Sequence, residues 1–323
     1  MQKEKVIIIG AGPCGMSCAI ELQQRGLDPL LIEKDNVVNS IYNYPTHQTF
    51  FSSSDKLEIG GVPFITEKQK PVRNQALSYY RTVAQRKELR IHTYEEVRTV
   101  ENTNGTFIVH TDKEEYESSY VVMATGYYDQ PNYMGVPGEE LEKVMHYFKE
   151  AHPYFNKRVV VIGGKNSAVD ATLELHKAGA EVTVLYRGSE YSKSIKPWIL
   201  PEFDSLVKKE AVHMEFNATV ERITNDSLIY NVDGETFTIE NDFVFAMTGY
   251  LPDYQLLKDV GISIEENTGS PVYNINTMET NVEGMFVAGV VAAGYNNNKI
   301  FIENGRFHGA TIAEEIMGRI SQA

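Results

Sequence analysis

Three glycines, Gly10, Gly12 and Gly15, stand between the apolar run Val6 to Ile9 and an amphipathic stretch. Glycines at that spacing between a strand and a helix allow a tight turn, close backbone approach to a pyrophosphate, and close packing of helix on strand. The helix start then offers free N–H groups to the phosphates. Glu33 ends the next apolar run and can accept a hydrogen bond from a ribose hydroxyl. Pro13 and Cys14 fill the loop and Lys34 follows the acid, so Gly10, Gly12, Pro13, Cys14, Gly15, Glu33 and Lys34 make a first candidate dinucleotide site.

The pattern recurs 153 residues later. Arg158 to Gly188 again reads as an aliphatic strand, a glycine turn, a helix and a second strand, which makes two βαβ units. Gly163 and Ala168 hold the first and third motif positions, with Gly164, Lys165, Asn166 and Ser167 between them. Lys165 replaces the middle glycine, where a side chain obstructs the closest backbone approach and an ammonium can contact phosphate instead. Tyr186 falls opposite Glu33, and Arg187 follows it. Loss of the acid and gain of an arginine favour a 2′-phosphate, hence NADPH over NADH. Lys193 is a second candidate for that phosphate, with a solvated loop lysine as the alternative.

Only two cysteines occur, Cys14 and Cys18, which gives no disulfide framework and no metal cluster and fits a reducing compartment. Cys14 lies in the first turn of the first helix, where the dipole favours thiolate. A neighbouring pyrophosphate would oppose that ionisation. A redox thiol and an inert loop filler both stay open. Cys18 stands one turn on, where a bridge to Cys14 demands poor geometry, and reads as a small buried residue.

The elements that must position these groups are visible between and after the two copies. Val97 to Val100, Phe107 to His110 and Tyr120 to Met123 read as strands, with Asn104-Gly105 as a hairpin turn. Tyr120 to Gly126 and Phe243 to Gly249 are apolar strands ending in small residues that let backbone approach a nucleotide. Pro131, Gly135, Pro137 and Gly138 read as an outgoing linker. After Met285 to Ala288 come a glycine, Gly289, and a helix. The fold class expected is α/β: two Rossmann-like (three-layer ββα/βαβ) nucleotide-binding domains, one inserted into the other. The first spans 1–126 and 247–323, the second 127–246.

At 323 residues the chain can bury two cores. The formal charge of −14 argues against nucleic-acid or anionic-membrane partners. No apolar run approaches the ~20 residues of a membrane span, and Val6 to Ile9 is too short for a signal peptide. A cytoplasmic protein is expected, and a homo-oligomer is left open.

With these motifs the chain resembles the two-dinucleotide-binding-domain flavoproteins, on the thioredoxin-reductase-like side, over almost its whole length. The resemblance implies FAD at Gly10, Gly12, Gly15, Glu33, Val97, Thr125, Gly126, Gly289, Lys299 and Ile300. It implies NADPH at Gly163, Ser167, Ala168, Arg187 and Gly249. Two departures matter. That family's CxxC dithiol is absent, and its third flavin motif, usually Ala-Gly-Asp, is here Ala288-Gly289-Val290. These departures, with GAGPCG, FFSSSDKLEIGGVPF and GGKNSAVDA, resemble the bacillithiol disulfide reductases of low-GC Gram-positive bacteria. The resemblance implies NADPH-driven, flavin-mediated reduction of a small-molecule disulfide, with Cys14 as the candidate catalytic thiol. His47, Gln48, Tyr127, Tyr128, Glu303 and Arg306 are further candidates for the flavin surroundings. Rival readings are an NADPH-dependent flavin monooxygenase, although MHYFKEAHP lacks the expected phenylalanine–glycine pair, and a ferredoxin or flavodoxin–NADP reductase.

Overall fold

The structure is a computed structural model and describes residues 1–103, 105–296 and 299–322. The chain divides into two units. One comprises Met1–Tyr42, His47–Gln130 and Leu251–Ala323, the other Asn43–Thr46 and Pro131–Tyr250.

The first unit begins with β1 (Gln2–Ile9), α1 (Pro13–Gln23), β2 (Leu30–Ile32) and α2 (Asn39–Tyr42). It continues with α3 (Arg73–Arg86), β3 (Arg90–His92), β4 (Val97–Thr103), β5 (Thr106–Thr111) and β6 (Glu115–Met123). Strands β3, β2, β1 and β6 lie side by side in parallel, with β2 and the glycine-loop ends of β1 and β6 buried on both faces and β3 partly exposed at the edge. One edge of β6 pairs antiparallel with β5 at Phe107 to His110, and β5 with β4. The hairpin expected at Asn104-Gly105 forms, with Thr103 opposite Thr106; Asn104 itself lies outside the described residues.

The second unit carries β7 (Val144–Met145), β8 (Arg158–Ile162), α4 (Asn166–Lys177), β9 (Glu181–Leu185), α5 (Leu200–Lys208) and β10 (His213–Glu215). Then come β11 (Ala218–Ile223), β12 (Ser227–Val232), β13 (Glu235–Glu240) and β14 (Phe243–Ala246). A parallel sheet runs β10-β9-β8-β14-β7, and β11-β12-β13 form an antiparallel meander. Val159 and Val161 face one apolar core with α4, while Val160 and Ile162 face another with the meander, as period-two alternation requires. The segment Pro131 to Gly138 is no free linker. The buried Glu139 carboxylate accepts the amides of Met134 and Gly135, and Ile223 N–H donates to the Pro137 carbonyl.

The chain then returns to the first unit with α6 (Tyr254–Asp259), β15 (Met285–Val287), a 3-10 turn (Gly289–Ala293), α7 (Ile302–Gly305) and α8 (His308–Ile320). Strand β15 pairs in parallel with Val121 to Met123 of β6. Two parallel α/β sheets, each with an antiparallel addition, are the Rossmann-like architecture expected.

Candidate functional site

In both units the glycine turn leaves the central strand in the same way. Gly10 N–H donates to the Ile32 carbonyl at 2.8 Å and Gly163 N–H to the Leu185 carbonyl at 2.9 Å. Both residues have positive φ, 107° and 138°. A Cβ at either would lie 2.5 Å from the carbonyl oxygen of Ala124 or Met247 on the neighbouring strand end. Glycine is required at each by this approach. Gly12 and Lys165 are the helix N-caps, extended at φ −74° and −111°, so a lysine fits where the middle glycine is replaced. Among the described residues no side chain caps either helix, which leaves first-turn N–H groups for a phosphate.

The first unit holds a cleft lined by Gly10, Glu33, Lys34, Val97, Thr125 and Gly126 of the expected residues. Glu33 is 8% exposed; Oε2 accepts Ala11 N–H at 2.8 Å and Oε1 accepts Asp35 N–H at 3.1 Å. Burial pushes its carboxyl above the usual range, while the two amides work against that shift. The Thr125 hydroxyl is buried with no partner among the described residues. An orphaned hydroxyl beside an uncapped helix start and a buried acid fits the phosphate and ribose of a dinucleotide. Lys34 is instead paired with Asp129. Sequence reading missed Glu95 and Asp129 in this cleft, since neither belongs to a motif. Glu95 is buried and accepts from the Tyr116 hydroxyl at 2.7 Å and the Thr111 hydroxyl at 2.8 Å.

Cys14 lies half-buried at the start of α1. A Cβ on Gly289 or on Gly305 would each come within 3.0 Å of its Sγ. Ile300 packs on Gly305, so Gly10, Cys14, Gly289 and Ile300 converge on the start of α1, while Lys299 is exposed. Burial works against the helix-start preference for a thiolate and pushes the Cys14 thiol up to about 12. Cys18 is buried and its thiol is raised further. Glu303 bonds the Ser52 hydroxyl, and Arg306 donates to the carbonyls of Asp55 and Glu58. These two side chains tie segment 52–58 to the 302–306 turn. Gln48 donates to the Thr49 carbonyl.

In the second unit, Lys165, Ser167, Arg187 and Lys193 are exposed, and the three cations make no ion pair among the described residues. Asn166 spends both ends of its amide on the loop that carries Lys193: Nδ2 donates to the Ser194 carbonyl at 3.0 Å, and Oδ1 accepts Lys196 N–H at 2.9 Å. The Tyr186 ring lies against the backbones of Gly164 and Gly188, at the position where the first unit has its acid. Gly249 follows β14 with its carbonyl accepting Asn132 N–H.

Two nucleotide loops of this kind in one chain define a pyridine-nucleotide oxidoreductase, and residues 7–289 match the pyridine nucleotide-disulphide oxidoreductase family. The chain belongs to that family, whose members use a flavin with a pyridine nucleotide to act on disulfides. It is 65% identical over 321 residues to bacilliredoxin reductase Bdr of Bacillus subtilis (strain 168), covering 99% of each chain. Among solved structures it is similar to the bacillithiol disulfide reductase Bdr of Bacillus cereus. That likeness is at 63% identity and TM-score 0.97, over 98% of this chain and 100% of the other. The Staphylococcus aureus enzyme of the same name matches at 60% identity and TM-score 0.96, over 99% of both chains.

Proposed function

We propose that this chain is a cytoplasmic, FAD-dependent reductase that oxidises NADPH and reduces a low-molecular-weight disulfide, bacillithiol disulfide. The observation that carries this reading is the near-complete overlap with two solved structures of that name at 60–63% identity, while the relative at 65% is named a bacilliredoxin reductase. In balance, NADPH, a proton and one disulfide give NADP⁺ and two thiols. A bound isoalloxazine supplies the two-electron chemistry between nicotinamide and disulfide; the protein positions and shields it.

On this reading the first unit holds FAD. The α1 start and the Thr125 hydroxyl take the pyrophosphate, and Glu33 takes the adenosine ribose. The second unit holds NADPH. Its support is three exposed cations without acidic partners among the described residues, in a chain of net charge −14, together with an aromatic ring where an NADH site needs an acid. Lys165 serves the pyrophosphate, and Arg187 and Lys193 the 2′-phosphate. With no CxxC, Cys14 is the candidate thiol. Because the thiolate is the attacking species, the proton that burial holds on Cys14 must pass to solvent before attack, and the departing substrate thiolate is protonated in turn.

Steady-state NADPH oxidation by FAD-loaded protein, with a panel of low-molecular-weight disulfides, tests the reading. Bacillithiol disulfide should stimulate oxidation above the oxygen-only rate, and the absence of stimulation by any disulfide would sink it. A bacilliredoxin mixed disulfide in the same panel separates a protein substrate from a small one. Cys14→Ala, with flavin content checked, should lose the disulfide-dependent rate and keep the flavin.

A further inference from the structure

His308 opens α8, and its Nδ1 lies 3.1 Å from the Gly289 amide nitrogen. The amide donates, so Nδ1 is the acceptor and the neutral ring carries its proton on Nε2. Burial holds this imidazole below the usual histidine range, which keeps the acceptor available at neutral pH. Gly289 also meets Cys14, whose Sγ would touch any Cβ placed there. The Gly289 turn, at φ 77°, thus contacts both a ring nitrogen of α8 and the thiol of α1. The two helices are themselves in close backbone contact: a Cβ on Gly309 would lie 2.8 Å from Cys18 Cα. The family resemblance implies that both the α1 loop and the Gly289 loop face the flavin, yet the acid expected after Gly289 is Val290.

The geometry points to His308 as a positioning residue of the flavin site. By accepting the Gly289 N–H it seats the third-motif turn against Cys14 Sγ, and it anchors a loop that lacks its usual acid. The inference rests on the reading of the first unit as the FAD site. Asparagine at 308 places Oδ1 where Nδ1 stands, one bond beyond Cγ. Glutamine carries its acceptor one bond further out and leaves a buried N–H unpaired.

The test compares wild type, His308→Asn and His308→Gln by two readouts. One is the alkylation rate at Cys14 in flavin-free protein, located by peptide mass spectrometry. The other is FAD affinity with the flavin absorption spectrum of the loaded protein. His308→Gln should alkylate about ten-fold faster or more and bind FAD about ten-fold more weakly, with a shifted flavin band. His308→Asn should return both to wild-type values. Wild-type behaviour of His308→Gln, or equal impairment of both variants, overturns the proposal. Should His308→Gln fail to fold, His308→Asn still decides, because its loss of FAD affinity would contradict an acceptor role. A wild-type protein that binds no flavin would sink the FAD reading instead, while the alkylation comparison still tests the Gly289 clamp.

Discussion

Burial acts on Glu33 and Cys14 in the same direction, with different outcomes. At Glu33 the Ala11 and Asp35 amides donate to the carboxylate and oppose the desolvation. At Cys14 burial is unopposed, and the thiol moves from 9.0 to about 12. The folded state therefore keeps a proton that the unfolded state releases above pH 9. The stability tied to this thiol is intact below pH 9 and falls as pH rises from there towards 12. The stability difference between wild type and Cys14→Ala should be flat below about pH 8.5 and change against wild type by about 1.4 kcal/mol per pH unit above 9. Urea unfolding at stepped pH reads this directly, and taking the difference cancels the tyrosines and lysines that titrate in the same range. A difference that stays flat to pH 11 would remove the buried-thiol account. Such a residue was easy to single out in the sequence, but its protonation was not legible there. The helix start could be seen, whereas the glycine backbones that desolvate the sulfur come from nearly three hundred residues away.

The element that separates the two nucleotide loops is the helix start. In α1 the N-cap is a glycine with open space around it. In α4 it is Lys165, and the next residue, Asn166, clasps the loop bearing Lys193. The clasp ties the loop bearing Lys193 beside the helix N-terminus before any phosphate arrives, which lowers the ordering cost of binding. Asn166→Ala should weaken NADPH binding about 2- to 10-fold through the lost hydrogen bonds, with FAD content unchanged. Stopped-flow or equilibrium titration checks it, and unchanged NADPH affinity would make the clasp purely structural. The motif named Asn166 as a phosphate-loop residue. Its amide is occupied by chain 28 and 30 residues away, a pairing that no local spacing encodes. The Pro131 to Gly138 stretch shows the same limit. Proline and glycine marked a break in regular structure, but the buried Glu139 holds that break within the second unit.

At the scale of the whole molecule, ligand linkage separates the two nucleotide assignments. A ligand that binds only the folded chain stabilises it by about 2.7 kcal/mol at a hundred times its dissociation constant. NADP⁺ at that concentration should raise the melting temperature of FAD-loaded protein by several degrees, and NAD⁺ at the same concentration by much less. Equal shifts would remove the 2′-phosphate preference drawn from Arg187, Lys193 and Tyr186.

The sequence by itself determined the two βαβ units, their 153-residue offset, the acid at the end of β2 and its replacement by Tyr186, and the absence of a CxxC dithiol. These are patterns of neighbouring residues, set by strand and helix periods and by the steric demands of a phosphate turn. Only the tertiary structure decided which polar groups are spent and which are left over. Lys34 is neutralised by Asp129, Glu303 and Arg306 bind segment 52–58, and the Thr125 hydroxyl is left without a partner among the described residues. It also brought His308, Gly289 and Cys14 into one contact. Burial and pairing depend on what the fold carries across the chain, and a thiol or an imidazole takes its ionisation from those distant neighbours rather than from the residues beside it.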